Sequence, residues 1–149
     1  MDIAKKTAAV AVGLATLVAG GVAAASPAAA ASRWITSDEV WTINNPRTAL
    51  SVNTSVGTVQ VRYGTYRGRQ YGWGRALNSY GGYKLRFEVD TDGDRIPNNE
   101  SSLRYIKGPG ATWTSGYQTS SSSARAFRAC IMGHGQHRCS QTSNRTGWW

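Results

Sequence analysis

The sequence predicts an all-β fold, an antiparallel β-sandwich or small barrel of about seven or eight short strands. Three observations carry that expectation. Apolar and polar residues alternate with period two over short runs, and helical spacing of apolar residues appears nowhere over a useful length. Clusters of Gly, Asn, Ser and Pro separate those runs at the spacing of tight turns. All fifteen aromatic residues lie beyond residue 31, mixed with Val and Gly as strand sequences are.

Taken in order, residues 32–46 hold Trp34, Ile35, Val40, Trp41 and Ile43 and read as a first strand or a packed arm. Residues 50–54 are a short alternating strand. Over residues 57–66, Val59, Val61 and Tyr63 share one face. Arg67-Gly68-Arg69 reads as a three-residue hairpin loop, and residues 70–77 return with Tyr71, Trp73, Arg75 and Leu77 on one face. Gly72 and Gly74 fall on the other face. Residues 83–89 give the clearest strand, with Tyr83, Leu85, Phe87 and Val89 inward and Lys84, Arg86 and Glu88 outward. A strand over residues 101–107 places Leu103 and Tyr105 inward. Two more follow, over residues 112–118 and 125–132.

The first 31 residues read differently. Lys5 and Lys6 precede an uncharged stretch of Ala, Val and Leu from Thr7 to Ala25, and Ala29-Ala30-Ala31 supplies the small side chains a signal peptidase needs. Residues 1–31 are therefore expected to be a signal peptide, and residues 32–149 a single extracellular β domain. Removing Lys5, Lys6 and Asp2 lowers the net charge from +9 to +8. Arginine supplies thirteen of the fifteen remaining cations. Such an excess suits a polyanion partner; it also keeps a secreted protein soluble. Cys130 and Cys139 form an even pair, expected to be bonded in an oxidising compartment, where closing so small a loop is worth about 2–3 kcal/mol. His134 and His137 lie between them, so zinc ligation is the alternative, but structural zinc sites draw on separated ligand pairs.

Two constellations are candidates for function. In the hairpin, Arg62, Tyr66, Arg69, Tyr71 and Trp73 interleave guanidinium groups with rings, a pattern that binds sugars or bases by stacking. Packing is the competing account: the rings fill a core, and Gly72 and Gly74 let a neighbouring ring lie flat. Arg75, if half buried, needs a carboxylate, and Glu88 is the nearest in sequence. The second constellation is Asp90-Thr91-Asp92-Gly93-Asp94, where alternating carboxylates offer hard oxygen donors for Ca²⁺. An ordinary Asp-Gly turn between two strands is the other account. The run 90–100 resembles the calcium motifs of thrombospondin type-3 repeats, which implies Asp90, Asp92 and Asp94 as calcium ligands. Arg95 departs from that pattern, since such motifs usually have glycine there.

Recognised enzyme motifs are missing. There is no G-x-S-x-G, no H-E-x-x-H and no phosphate loop, and only seven acidic residues follow the leader. The stretch from Val61 to Asp94, followed by SSSSARAFRAC, a second cysteine and a terminal tryptophan pair, resembles small secreted β-rich proteins of actinobacteria. That resemblance implies a bacterial extracellular β domain and assigns no catalytic residue. The expected function is a secreted, non-catalytic β domain that adheres to an extracellular polymer or partner protein. An anionic or carbohydrate cell-surface polymer is the partner class its composition suits. A small hydrolase of cell-wall or nucleic-acid polymer, or a secreted inhibitor, is the alternative.

Overall fold

The period-two runs become strands whose two faces meet different neighbours. The computed structural model describes residues 32–149; the expected signal peptide lies outside the described residues. In chain order the elements are β1 (Trp34–Ile35), α1 (Ser37–Trp41), β2 (Arg47–Thr54), β3 (Gly57–Tyr66), β4 (Arg69–Leu77), β5 (Lys84–Asp90), β6 (Asn99–Glu100), β7 (Arg104–Tyr105), β8 (Thr112–Gln118) and β9 (Ala126–Met132), with a 3-10 turn at Cys139–Gln141. The fold is all-β, as expected. Two antiparallel sheets face each other and neither closes into a barrel. No helix among the described residues is long and apolar enough to cross a membrane.

The first sheet runs β1-β8-β4-β3-β2. In the second, β5 pairs with β9 along one edge and with β6 and β7 on the other. The C-terminal segment lies along the free edge of β9, where Thr146 N–H donates to the Ala129 carbonyl at 2.9 Å and Trp149 N–H to that of Phe127 at 2.9 Å. Between the sheets, Val59, Val61 and Ala76 pack against Leu85, Phe87, Val89, Phe127, Ala129 and Ile131. Full burial of a side chain such as Phe87 or Leu85 is worth about 1.5–3 kcal/mol. Gly72 and Gly74 face this interior. A Cβ on Gly72 would stand 3.2 Å from the Phe127 ring, and one on Gly74 would stand 3.2 Å from the Ala129 Cβ. Their lack of side chains admits the second sheet, with the Phe127 ring lying against Gly72.

Each sheet also covers part of its outer face. Ile35, Val40 and Ile43, from β1, α1 and the segment after it, pack on Tyr71 and Trp73 of the first sheet. The arm turns helical because Thr36 and Glu39 make a capping box: the Thr36 hydroxyl accepts from Glu39 N–H at 3.2 Å, and the Glu39 carboxylate accepts from Thr36 N–H at 2.8 Å. On the second sheet, Cys130 and Cys139 are disulfide-bonded and pack with Met132 and Leu103. The bond excludes both cysteines from zinc ligation and leaves His134 and His137 as exposed loop residues.

Three local expectations are corrected. The β3–β4 loop has two residues, because Tyr66 pairs directly with Arg69; Arg67 and Gly68 both have positive φ, at 47° and 76°, as a type I′ turn requires. Residues 101–107 are not one strand. The register against β5 shifts by one residue between Glu100 opposite Glu88 and Arg104 opposite Leu85. That extra residue inverts the faces, so Ile106 is buried and Tyr105 is 70% exposed. Glu88 does not face solvent, nor does it meet Arg75. It is fully buried under the cysteine loop, accepts from Arg128 at 2.6 and 2.7 Å, and accepts from Cys139 N–H at 2.7 Å.

Removing that carboxylate strands a buried guanidinium and an amide. Glu88→Ala is expected to cost about 3–5 kcal/mol, with a matching fall in melting temperature, and Glu88→Gln less. A variant melting with the wild type would refute the weight given to this contact.

Candidate functional site

The outer face of the first sheet is set by its register. Thr48 on β2, Arg62 on β3 and Trp73 on β4 stand side by side, as do Ser51, Gln60, Arg75 and Trp113. α1 covers the Trp73 end of this surface and stops at Trp41. The Trp113 indole N–H donates to the Ser37 carbonyl at 2.9 Å, which ties β8 to α1. The Trp41 indole then stacks on Trp113, with centroids 4.7 Å apart and planes 12° from parallel. One Trp41 face meets Trp113, and the side chain is still 70% exposed.

Beside this stack lies a depression of about 200 Å³ lined by Trp41, Pro46, Arg62, Trp73, Arg75 and Trp113, among others. Its charge is one-sided. Arg62 donates to the Thr48 hydroxyl at 2.6 Å and to the Pro46 carbonyl at 2.9 Å, while its buried Nε has no partner. Arg75 donates through Nε to Gln60 Oε1 at 2.8 Å, and its two terminal nitrogens bond to no described residue. Among the described residues the salt bridges are Arg86–Glu100, Arg95–Asp90 and Arg128–Glu88, so neither arginine of the depression has a carboxylate. Burial lowers the pKa of Arg62; burial and then the neighbouring Arg62 charge lower that of Arg75. Both shifts mark cations that an arriving anion would relieve.

The hairpin residues singled out by sequence divide between two places. Arg62 and Trp73 line the depression just described, with Trp73 as its buried floor. Tyr66, Arg69 and Tyr71 line a separate hollow of about 400 Å³ with Trp34 and Glu39. There the Tyr66 hydroxyl donates to Glu39 at 3.0 Å, and Arg67 lies over the Tyr66 ring at 5.0 Å. Burial, then the bond to Glu39, raises the Tyr66 pKa; hydrogen bonds from the Thr36 backbone and then from Tyr66 lower that of Glu39. This hollow already contains its own carboxylate and is the less receptive of the two to an anion. Trp41, Arg75 and Trp113 were not among the sequence candidates. The signal for Trp41 is the Thr36-x-x-Glu39 capping box, which marks a helix start five residues before it.

The acidic loop brings its three candidates together: carboxylate oxygens of Asp90, Asp92 and Asp94 lie within 4.8 Å of one another. Asp90 is fully buried, while Asp92 and Asp94 are exposed. The Asp90 carboxylate accepts from the backbone N–H groups of Asp92, Gly93 and Arg95 at 3.0, 2.7 and 2.9 Å, and from the Arg95 guanidinium at 2.8 Å. The cation at this carboxylate is thus Arg95, the residue that departs from the thrombospondin-type pattern.

Burial pulls the Asp90 carboxyl upward, but the bonds from Gly93, Arg95 and Asp92 together hold it well below the ordinary carboxylate range. A depressed folded-state pKa stabilises the fold above the unfolded-state value, near 3.9, and that stability is lost as pH falls below it. Asp90→Asn is expected to cost about 1–3 kcal/mol at neutral pH and to flatten the acid limb of the stability curve below about pH 5. Parallel acid limbs in wild type and variant would refute the assignment.

No protein-family model matches the chain, and no curated protein or solved structure matches it either.

Proposed function

We propose that the protein is a secreted, non-catalytic binding domain that adheres to an anionic extracellular polymer through the outer face of its five-stranded sheet. One observation carries the reading: Arg62 and Arg75 stand together without a carboxylate, beside the exposed Trp41–Trp113 stack. A guanidinium fork with free terminal N–H groups matches a carboxylate or phosphate bidentately, and an indole face receives a ring. The depression's lining holds no carboxylate, imidazole or thiol, which favours binding over turnover. Secretion accords with the disulfide and with the leader expected over residues 1–31.

The material for the test is the form recovered from culture medium, expected by mass spectrometry to begin at or next to Ser32. It should be retained on polygalacturonate or peptidoglycan and not on neutral cellulose, and show no nuclease or muralytic activity. Retention should fall steeply with salt, because the contacts are partly exposed ion pairs. Arg75→Ala should weaken it by about tenfold, or 1.4 kcal/mol. Retention in molar salt, or an unaffected variant, counts against the proposal.

A second reading, calcium binding at the turn after β5, is favoured by the convergence of Asp90, Asp92 and Asp94. Arg95 competes for Asp90, so affinity should be weak, in the roughly millimolar range of extracellular sites. Calorimetry on chelator-treated protein should then show a calcium heat that Asp92→Ala abolishes. No heat and no shift in melting temperature at that concentration would leave the loop an ordinary turn closed by its own arginine.

A further inference from the structure

The depression at Arg75 does not end at Trp113. A second hollow of about 450 Å³ adjoins it, sharing Ala111 and Trp113, and its walls include Arg104, Tyr105, Lys107 and Thr112. Arg104, Tyr105 and Lys107 are exposed, and no acidic residue lines either hollow. The surface therefore carries Arg62 and Arg75 on one side of Trp113 and Arg104 and Lys107 on the other, with the rings of Trp41, Trp113 and Tyr105 between and beside them. A single small anion fills neither the length nor the charge of such a groove.

We infer that the groove binds several consecutive residues of an acidic polysaccharide whose sugar rings carry carboxylates. The inference rests on the proposed role of Arg62, Arg75 and Trp41 and deepens it to a ligand class and a length. Charge and ring placement select the class. Arg75 is the direct cross-strand partner of Trp113, and Trp41 lies flat on Trp113, so guanidinium and ring platform are immediate neighbours. A uronate bears its carboxylate on the stacking ring itself. A nucleotide separates its phosphate from the stacking base by a sugar, and single-strand binders offer successive free ring faces. Here the two indoles cover each other's facing sides and act as one platform. The pairing of ring with cation is repeated in the second hollow by Tyr105 with Arg104 and Lys107. Linking two such subsites makes engagement of the second intramolecular once the first is filled.

Calorimetry on the mature chain with galacturonate dimer and octamer, and with oligothymidylate as the competing polyanion, tests the inference. The octamer should bind at least about tenfold tighter than the dimer. The double variant Arg104→Ala, Lys107→Ala should bring the octamer down towards the dimer's affinity. Arg75→Ala should weaken both ligands together. If the double variant binds the octamer like the wild type, or if the octamer is no tighter than the dimer, the extended groove is wrong while the site at Arg75 stands. Failure of both acidic oligomers to bind rejects the site and its extension alike. Tighter binding of oligothymidylate rejects the polysaccharide class.

Discussion

The buried carboxylate of Glu88 is the contact on which the second sheet and its covering loop depend. It sits on β5, the strand that every other strand of that sheet pairs with. One oxygen accepts from Nε and Nη2 of Arg128 on β9, and the other accepts from Cys139 N–H of the loop above. A buried charge is tolerable only when its lone pairs are satisfied, so the carboxylate holds the loop in place alongside the disulfide. The disulfide holds Cys139 to Cys130, and Cys130 is opposite Arg86, two residues from Glu88 on β5. Arg128 in turn lies 4.4 Å from the ring centre of Trp148, which draws the C-terminal segment onto β9. One acid therefore organises strand, loop and terminus.

The same economy of acids explains where the positive charge is left over. Only seven acidic residues follow the leader. Glu88, Asp90 and Glu100 are each neutralised by one arginine of the second sheet or its loops. Glu39 is held by Thr36 and Tyr66 in the arm. Asp38, Asp92 and Asp94 are exposed elsewhere. The first sheet contributes no carboxylate of its own to its outer face, so Arg62 and Arg75 must find neutral partners, and they do so in Thr48, Pro46 and Gln60. Those partners satisfy some N–H groups but leave the charges uncompensated. The uncompensated charge of this surface follows from how the acids are distributed over the fold as much as from the pairing of Arg62 with Arg75.

Much of the fold was legible because period two and tight turns are local. β3, β4, β5, β8 and β9 fall where the alternation and the glycine-rich turns place them. The departures have long-range causes. No local pattern announces the extra residue between Glu100 and Arg104 that turns Ile106 inward and Tyr105 outward. Glu88 reads as an outward charge because the covering loop comes from residues some fifty positions later. The candidate site was half legible: arginines among rings were visible in the hairpin, and Arg62 and Trp73 do line the depression. Trp41, Arg75 and Trp113 come from α1, β4 and β8: the register of β4 on β8 sets Arg75 beside Trp113, and the Ser37–Trp113 bond brings Trp41 onto the same ring.

The arm is the element that joins the fold to the proposed site. Gly116 on β8 lets it lie close, since a Cβ there would stand 3.1 Å from both Ile35 and Val40. The capping box starts the helix at Thr36, and Thr42, whose N–H and hydroxyl both bond the Glu39 carbonyl, closes it after Trp41, before the arm can cover Arg62 and Arg75. A longer helix would bury the arginines; an extended arm would leave Trp41 without the Ser37–Trp113 bond that sets its stacking partner. The short turn does both things at once. It protects Trp73 and Tyr71 as a second small core and delivers one indole, already oriented, to the rim of the charged depression. A ring held in place before binding loses little further freedom on contact, which is what the proposed binding of a stacked, charged ligand on a flat sheet requires.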